Sequence, residues 1–278
     1  MSASLRVACV QNCATGDLAV SVAECEAIIR QAHAAGADLI CLPEFCACLA
    51  LRDGCLEVGA FAEQSHPALA PLAGLARELG VWLLIGSLAV HAPGDRLRNR
   101  SLLLDRDGVV VARYDKIHLF DVALSATESY RESEVLEAGR EAVLAATPWG
   151  PLGLSICYDL RFAYLYRMLA CAGAYFLAIP AAFTRTTGRA HWHVLVRARA
   201  IETGSYVFAP AQYGRHGDAE TYGHSLIVDP WGEVLADAGD GPGFALAEID
   251  PERVAAARRR IPALTHDRTP AAPREYGG

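Results

Sequence analysis

The segment Gly153-Leu154-Ser155-Ile156-Cys157-Tyr158-Asp159 brings a thiol to the end of an apolar, strand-like run. A polar turn then leads into a helical-looking stretch from Leu160 to Ala172. A side chain so placed stands at a sheet edge, beside the backbone N–H groups of the following turn. A thiol there can attack a carbonyl carbon with an oxyanion site already next to it. The strand–nucleophile–helix elbow of other hydrolases follows the same logic. The plain alternative is a buried thiol that only packs, as free cysteines often do.

A cysteine nucleophile needs a base, or a cation that lowers its pKa. The nine histidines single out no candidate. His33 lies on a helical stretch and His66 and His91 in loops, so these three read as solvated. His118, His191, His193 and His224 lie in denser segments. Two other segments stand out. Leu39-Ile40-Cys41-Leu42-Pro43-Glu44-Phe45 is an apolar strand ending in a proline and then a carboxylate, at the rim of a sheet. Arg113-Tyr114-Asp115-Lys116-Ile117-His118-Leu119 follows a hairpin strand and sets a lysine among apolar neighbours. Taken singly, Glu44 also reads as a solvated turn residue and Lys116 as a surface lysine.

Taken together and in this order, the three segments resemble the nitrilase superfamily of carbon–nitrogen hydrolases, from about Leu5 to about Pro262. That family is marked by a Glu after a strand, a Lys after the middle hairpin and a Cys at a later strand end. The resemblance implies a catalytic Cys157, with Glu44 as its general base. It implies that Lys116 and the backbone N–H of Tyr158 meet the oxyanion. A second family glutamate matches Glu132, in Tyr130-Arg131-Glu132-Ser133, with Glu128 as the competing position. The implied reaction cleaves an amide through a cysteine thioester and releases ammonia, with neither a metal nor an organic cofactor. The implied fold is α/β, a four-layer αββα sandwich. Helices of two subunits pack together in the family, so a homodimer or higher homo-oligomer is expected.

The run Cys157-Tyr158-Asp159-Leu160-Arg161-Phe162 looks like the branch that holds omega-amidases and deaminated-glutathione amidases. Ala211-Gln212-Tyr213-Gly214-Arg215-His216 and Tyr222-Gly223-His224-Ser225 look like the second of these. The expected substrate is thus a small carboxylate-bearing omega-amide, with deaminated glutathione ranked first. The alternatives are 2-oxoglutaramate or 2-oxosuccinamate, an N-carbamoyl amide, or a non-catalytic interaction protein on the same scaffold. Cationic side chains suit a substrate with several carboxylates, which makes Arg185, Arg189 and Arg215 candidates. The loop Phe120–Ser129 departs from the family pattern, because it lacks a Pro-Gly pair.

The elements that must carry these residues are legible as hydrophobic runs. Strands are expected at Leu5–Val10, Asp38–Leu42, Val81–Leu88, Arg100–Leu104, Val109–Arg113, Gly153–Ile156, Tyr175–Ile179, Tyr206–Ala209, His224–Val228, Val234–Ala236 and Phe244–Ile249. Helices are expected at Val20–Ala35, Pro67–Leu79 and Gly188–Thr203, with Gly36 and Gly80 as stops. Asp105-Arg106-Asp107-Gly108 and Asp229-Pro230-Trp231-Gly232 read as hairpin turns. Strands alternating with helices, then paired by tight turns, give an α/β layered fold with a mixed sheet. No linker divides the 278 residues, so one domain is expected over 1–278, with a core of about 5–262 and a polar tail over 263–278.

Composition narrows the partners. The net charge of −7 disfavours nucleic acid. The basic run Arg258-Arg259-Arg260 ends an Ala-rich helical stretch, where cations complement the helix dipole. No run approaches the roughly 18 apolar residues of a membrane span. The N-terminus enters a strand pattern without a charged or long apolar leader, so a cytoplasmic protein is expected. Nine scattered cysteines fit free thiols in a reducing compartment. Cys46-Ala47-Cys48 is too closely spaced for a zinc pair.

Overall fold

The structure, a computed structural model, describes residues 5–52, 55–125 and 128–274. Twelve strands form its two principal sheets. They are β1 (Leu5–Gln11), β2 (Leu39–Cys41), β3 (Trp82–His91), β4 (Leu97–Leu104), β5 (Val110–Asp115), β6 (Val143–Ala145), β7 (Leu152–Leu154), β8 (Phe176–Ala178), β9 (Tyr206–Ala209), β10 (Leu226–Val228), β11 (Val234–Asp237) and β12 (Gly243–Ile249). The first sheet runs β12-β1-β2-β3-β4-β5 and the second β6-β7-β8-β9-β10-β11. Both repeat one pattern: an antiparallel edge pair, two parallel pairs, then two antiparallel pairs. The chain crosses over at its end, where β12 returns to pair with β1 from Leu5↔Ile249 to Gln11↔Gly243.

Among the described residues, five α-helices cover the sheets: α1 (Leu18–Ala34), α2 (Leu69–Leu79), α3 (Ala163–Cys171), α4 (Arg185–Thr203) and α5 (Glu252–Arg260). Period-two alternation decides which face each strand residue takes. Leu5, Val7 and Cys9 of β1 join the core between the sheets, with Leu39, Cys41, Leu152 and Leu154. Ala8 and Val10 point the other way and pack with Ile28 and Ile29 of α1 and Leu72 and Leu75 of α2. Strands buried on both faces read as unbroken apolar runs, as β2 does, whereas exposed Arg6 interrupts β1 near its start. Beyond the second sheet, Leu165 and Leu169 of α3 and Trp192 and Val196 of α4 close the fourth layer. The architecture is the expected αββα sandwich.

Local chemistry moves three helix boundaries from their expected places. Asp17 accepts hydrogen bonds from the N–H groups of Ala19 and Val20, so α1 starts at Leu18. The Thr184 side chain accepts from Thr187 N, which starts α4 at Arg185 rather than Gly188. The helix expected from Pro67 begins at Leu69 and stops at Gly80, whose φ of 65° is left-handed. His66 corrects the expectation of a solvated loop residue, being 3% exposed. Its ring accepts from Ala68 N at the start of α2 and packs against Phe61. Burial lowers its pKa to about 4, so it is neutral at pH 7.

Candidate active site

Three strand ends of the inner layers deliver the site. Glu44 lies three residues past the end of β2, Lys116 directly follows β5, and Cys157 lies three residues past β7. The Glu44 loop turns sharply over β3. Ser87 N donates to Pro43 O at 3.3 Å, and Phe45 N donates to Ser87 Oγ at 2.9 Å. This approach needs a residue without a Cβ at position 86, since a Cβ there would lie 1.9 Å from Leu42 O. The β3–β4 register is irregular at that point, between Ile85 and Leu88. Phe45 and Cys157 both hold left-handed backbones, with φ of 49° and 47°. Non-glycine residues rarely adopt this conformation, and such strain gathers where function over-determines the backbone.

The charged groups meet in a buried knot. Lys116 Nζ donates to Glu44 Oε1 at 2.8 Å and to Glu132 Oε2 and Oε1 at 2.8 and 3.0 Å. The Lys116 side chain is 1% exposed and that of Glu44 3%. Glu44 is held from three further sides. Its Oε1 accepts from Asn99 Nδ2 at 2.9 Å, its Oε2 accepts from Ala182 N at 2.9 Å, and its carbonyl accepts from Gln212 Nε2 at 3.0 Å. Glu132 Oε2 also accepts from Phe120 N at 2.8 Å. Glu44, Lys116 and Glu132 all bear electrostatically on the Cys157 thiol.

Burial and charge set the protonation states together. Burial alone would lower the Lys116 pKa, but Glu132 and then Glu44 overcome it and push it well above its usual value. Lys116 is thus a fixed cation. Burial raises the Glu132 pKa, the lysine opposes, and Glu44 adds to the rise. Burial and then the Glu44 charge raise the Cys157 thiol well above its usual value, against the pull of Lys116. The resting thiol therefore keeps its proton until a base removes it.

Cys157 opens a 3-10 turn over Cys157–Arg161, and its N–H donates to Pro180 O at 2.8 Å. Tyr158 N is the second N–H of that turn, at a helix start where intrahelical acceptors are lacking. The four groups line a cavity of about 170 Å³ together with Phe120, Tyr130 and Tyr158. Leu51, Tyr130, Ala219 and Glu220 are shared with a more polar vestibule of about 520 Å³.

The structure brings Glu44, Lys116, Cys157, Glu132 and Tyr158 to one cavity. Glu128 instead accepts from Tyr130 Oη at 3.2 Å and lines the vestibule. Arg185 and Arg189 line the vestibule too, with Arg185 paired to Glu220. Arg215 is exposed on the hairpin Tyr213–His216/Ala219–Tyr222 and lines neither space. Sequence reasoning missed Asn99, Ser87 and Gln212. Ser87 and Gln212 interrupt or border apolar runs, which was the available signal, whereas Asn99 stands between Arg98 and Arg100, where no such signal exists. Among the described residues, one group could offer three donors to a metal ion: His193, His224 and Asp237, whose ligand atoms lie within 4.8 Å of one another. It shares no residue with the cavity, and its members already pair, His224 Nδ1 lying 3.0 Å from Asp237 Oδ1.

A nucleophile, a carboxylate base and a fixed cation can together attack a carbonyl and hold the resulting oxyanion. The sequence pattern of the carbon-nitrogen hydrolase family matches residues 6–259. The chain belongs to the carbon–nitrogen hydrolases. A Synechocystis deaminated glutathione amidase is 42% identical to this hydrolase over 265 residues, covering 93% of the chain and 96% of the relative. The human deaminated glutathione amidase is 40% identical over 270 residues, covering 94% and 82%. Among solved structures, Saccharomyces cerevisiae Nit3, of branch 10 of the nitrilase superfamily, aligns with a TM-score of 0.79 at 28% identity, covering 93% of this chain and 94% of that one.

Proposed function

We propose that this carbon–nitrogen hydrolase cleaves the omega-amide of a small carboxylate-bearing substrate, with deaminated glutathione as the best candidate. The observation that carries the reading is the contact of one buried ammonium with two carboxylates, Glu44 and Glu132, beside the Cys157 thiol. The relatives named above support the choice of substrate.

Glu44 takes the thiol proton, and Cys157 Sγ bonds to the amide carbon. The carbonyl oxygen becomes an oxyanion that meets the Lys116 ammonium and Tyr158 N–H. One such preorganised donor is worth about 3–4 kcal/mol. The oxyanion collapses, the C–N bond breaks, and Glu44 returns the proton so that ammonia leaves. Water, activated by Glu44, then attacks the thioester and releases the acid and the free thiol. Glu132 holds Lys116 in place. Arg185 and Arg189 in the vestibule are candidate partners for the substrate's distant carboxylates.

The enzyme works in this reading as a homodimer, packed through α3 and α4. Support comes from Tyr164, Met168, Val194 and Ile201, which are large apolar side chains exposed on those helices. The free cysteines at eight described positions support a reducing compartment such as the cytoplasm. Ammonia release from deaminated glutathione and from 2-oxoglutaramate tests the chemistry. The expected result is a higher kcat/KM for deaminated glutathione, a trapped acyl adduct on Cys157, and no turnover by Cys157→Ala. Full activity in Cys157→Ala would sink the mechanism, and a clear preference for 2-oxoglutaramate would overturn the substrate.

A further inference from the structure

Asp159 is 0% exposed and two residues past the thiol. Its carboxylate accepts hydrogen bonds from both arms of the site. From the lysine arm come Tyr114 Oη at 2.6 Å to Oδ2 and His118 N at 3.0 Å to Oδ1, with His118 Nδ1 also 2.6 Å from Oδ1. From the thiol arm comes Ile156 N, at 2.8 Å to Oδ2. Tyr114 and His118 stand two residues either side of Lys116, and Ile156 directly precedes Cys157. A second contact joins the same arms: the His118 ring stacks on Phe162 with centroids 3.6 Å apart and planes 9° apart. Tyr164 Oη bonds the other edge of that ring.

We propose that Asp159 is the positioning residue that sets Cys157 and Lys116 at reacting distance. The inference rests on the reading of these two as nucleophile and oxyanion partner. A strand end alone cannot fix that distance, because Lys116 and Cys157 stand on different sheets. Cys157 also holds a left-handed backbone, which relaxes unless its neighbours pin it. Only a carboxylate can accept from all of these donors. An asparagine has one acceptor oxygen, so its NH₂ would face a backbone N–H wherever it points, that of Ile156 or that of His118. Burial, with the neighbouring Asp159, raises the Tyr114 pKa, so its hydroxyl remains a donor across the working pH range.

The test uses the full chain and three isosteric variants. Asp159→Asn should lower kcat by about 100-fold while KM stays within about threefold, the loss expected when reacting groups drift by about 1 Å. Tyr114→Phe removes one donor and should lower kcat by about tenfold. Tyr206→Phe is the matched control. It removes the less buried hydroxyl of an equally buried tyrosine, which donates to Asp250 O at 3.1 Å, away from both arms, and kcat should stay within about twofold. Alkylation of Cys157 by iodoacetamide should slow in the first two variants and not in the third. A folded Asp159→Asn with kcat within threefold overturns the proposal. So do equal losses in Tyr114→Phe and Tyr206→Phe, which decide the matter if Asp159→Asn does not fold. Full activity in Cys157→Ala would instead remove the reading beneath. An inert Cys157→Ala beside a normal Asp159→Asn removes this inference alone.

Discussion

At the scale of single residues, the site is an arrangement of one cation between two carboxylates, with a protonated thiol beside them. Its order is consequential, since breaking a buried ion pair typically costs 3–5 kcal/mol. Glu132→Gln leaves Lys116 with one charged partner, so the ammonium is held less firmly against the developing oxyanion. We expect kcat to fall about 10–100-fold with a smaller change in KM, read from initial rates of ammonia release. The thiol pKa stands well above its usual 9.0 because of burial and the Glu44 charge. Raising pH through 9 therefore leaves the resting thiol largely protonated. Site-resolved alkylation of Cys157 should keep accelerating beyond that pH, and a plateau below pH 8 would contradict the assignment. Glu44 and Cys157 follow apolar runs and Lys116 follows a hairpin strand, and the resemblance of the three motifs in order made them legible. Asn99 and Asp159 were not, because their partners lie 55 residues and 41 to 45 residues away.

At the scale of elements, strand ends do the positioning, and close packing makes them rigid. The Glu44 loop rests on position 86, where there is no room for a methyl group. Gly86→Ala must displace backbone rather than a side-chain tip. It should lower stability by more than about 2 kcal/mol and reduce activity with it. Gly74, inside α2, has nothing within 4 Å of its missing Cβ. Gly74→Ala should instead stabilise by about 0.5–1 kcal/mol and leave kcat unchanged. Paired thermal melts check both signs. Most strands and helices were legible, because their apolar runs are long or regular. β6 and the hairpin Tyr213–His216/Ala219–Tyr222 were not expected as strands. They are short edge or paired segments whose hydrogen bonds, not side-chain pattern, define them.

At the scale of the whole molecule, β12 closes the first sheet from the far end of the chain. β12 and β1 share seven register pairs. We read the chain as one cooperative unit on this ground. Chemical denaturation should give coincident transitions by near-ultraviolet and far-ultraviolet signals, and separated midpoints would indicate two units. The exposed apolar residues of α3 and α4 set the second expectation. Met168→Arg together with Val194→Glu should shift the protein from dimer to monomer in sedimentation velocity, with the fold intact.

The sequence by itself determined the αββα class, the family and the three strand-end groups. Apolar runs gave the layered α/β class, and the resemblance carried by three motifs in order gave the αββα sandwich, the family and the roles of the three groups. The tertiary structure decided which glutamate meets the lysine, because Glu128 and Glu132 share one loop and only the folded path of that loop separates them. It also moved His66 into the interior and left Arg215 outside the cavity. Above all it showed that Asp159 joins the two arms, since a carboxylate's role is set by which donors converge on it, and those donors meet only when the two sheets pack.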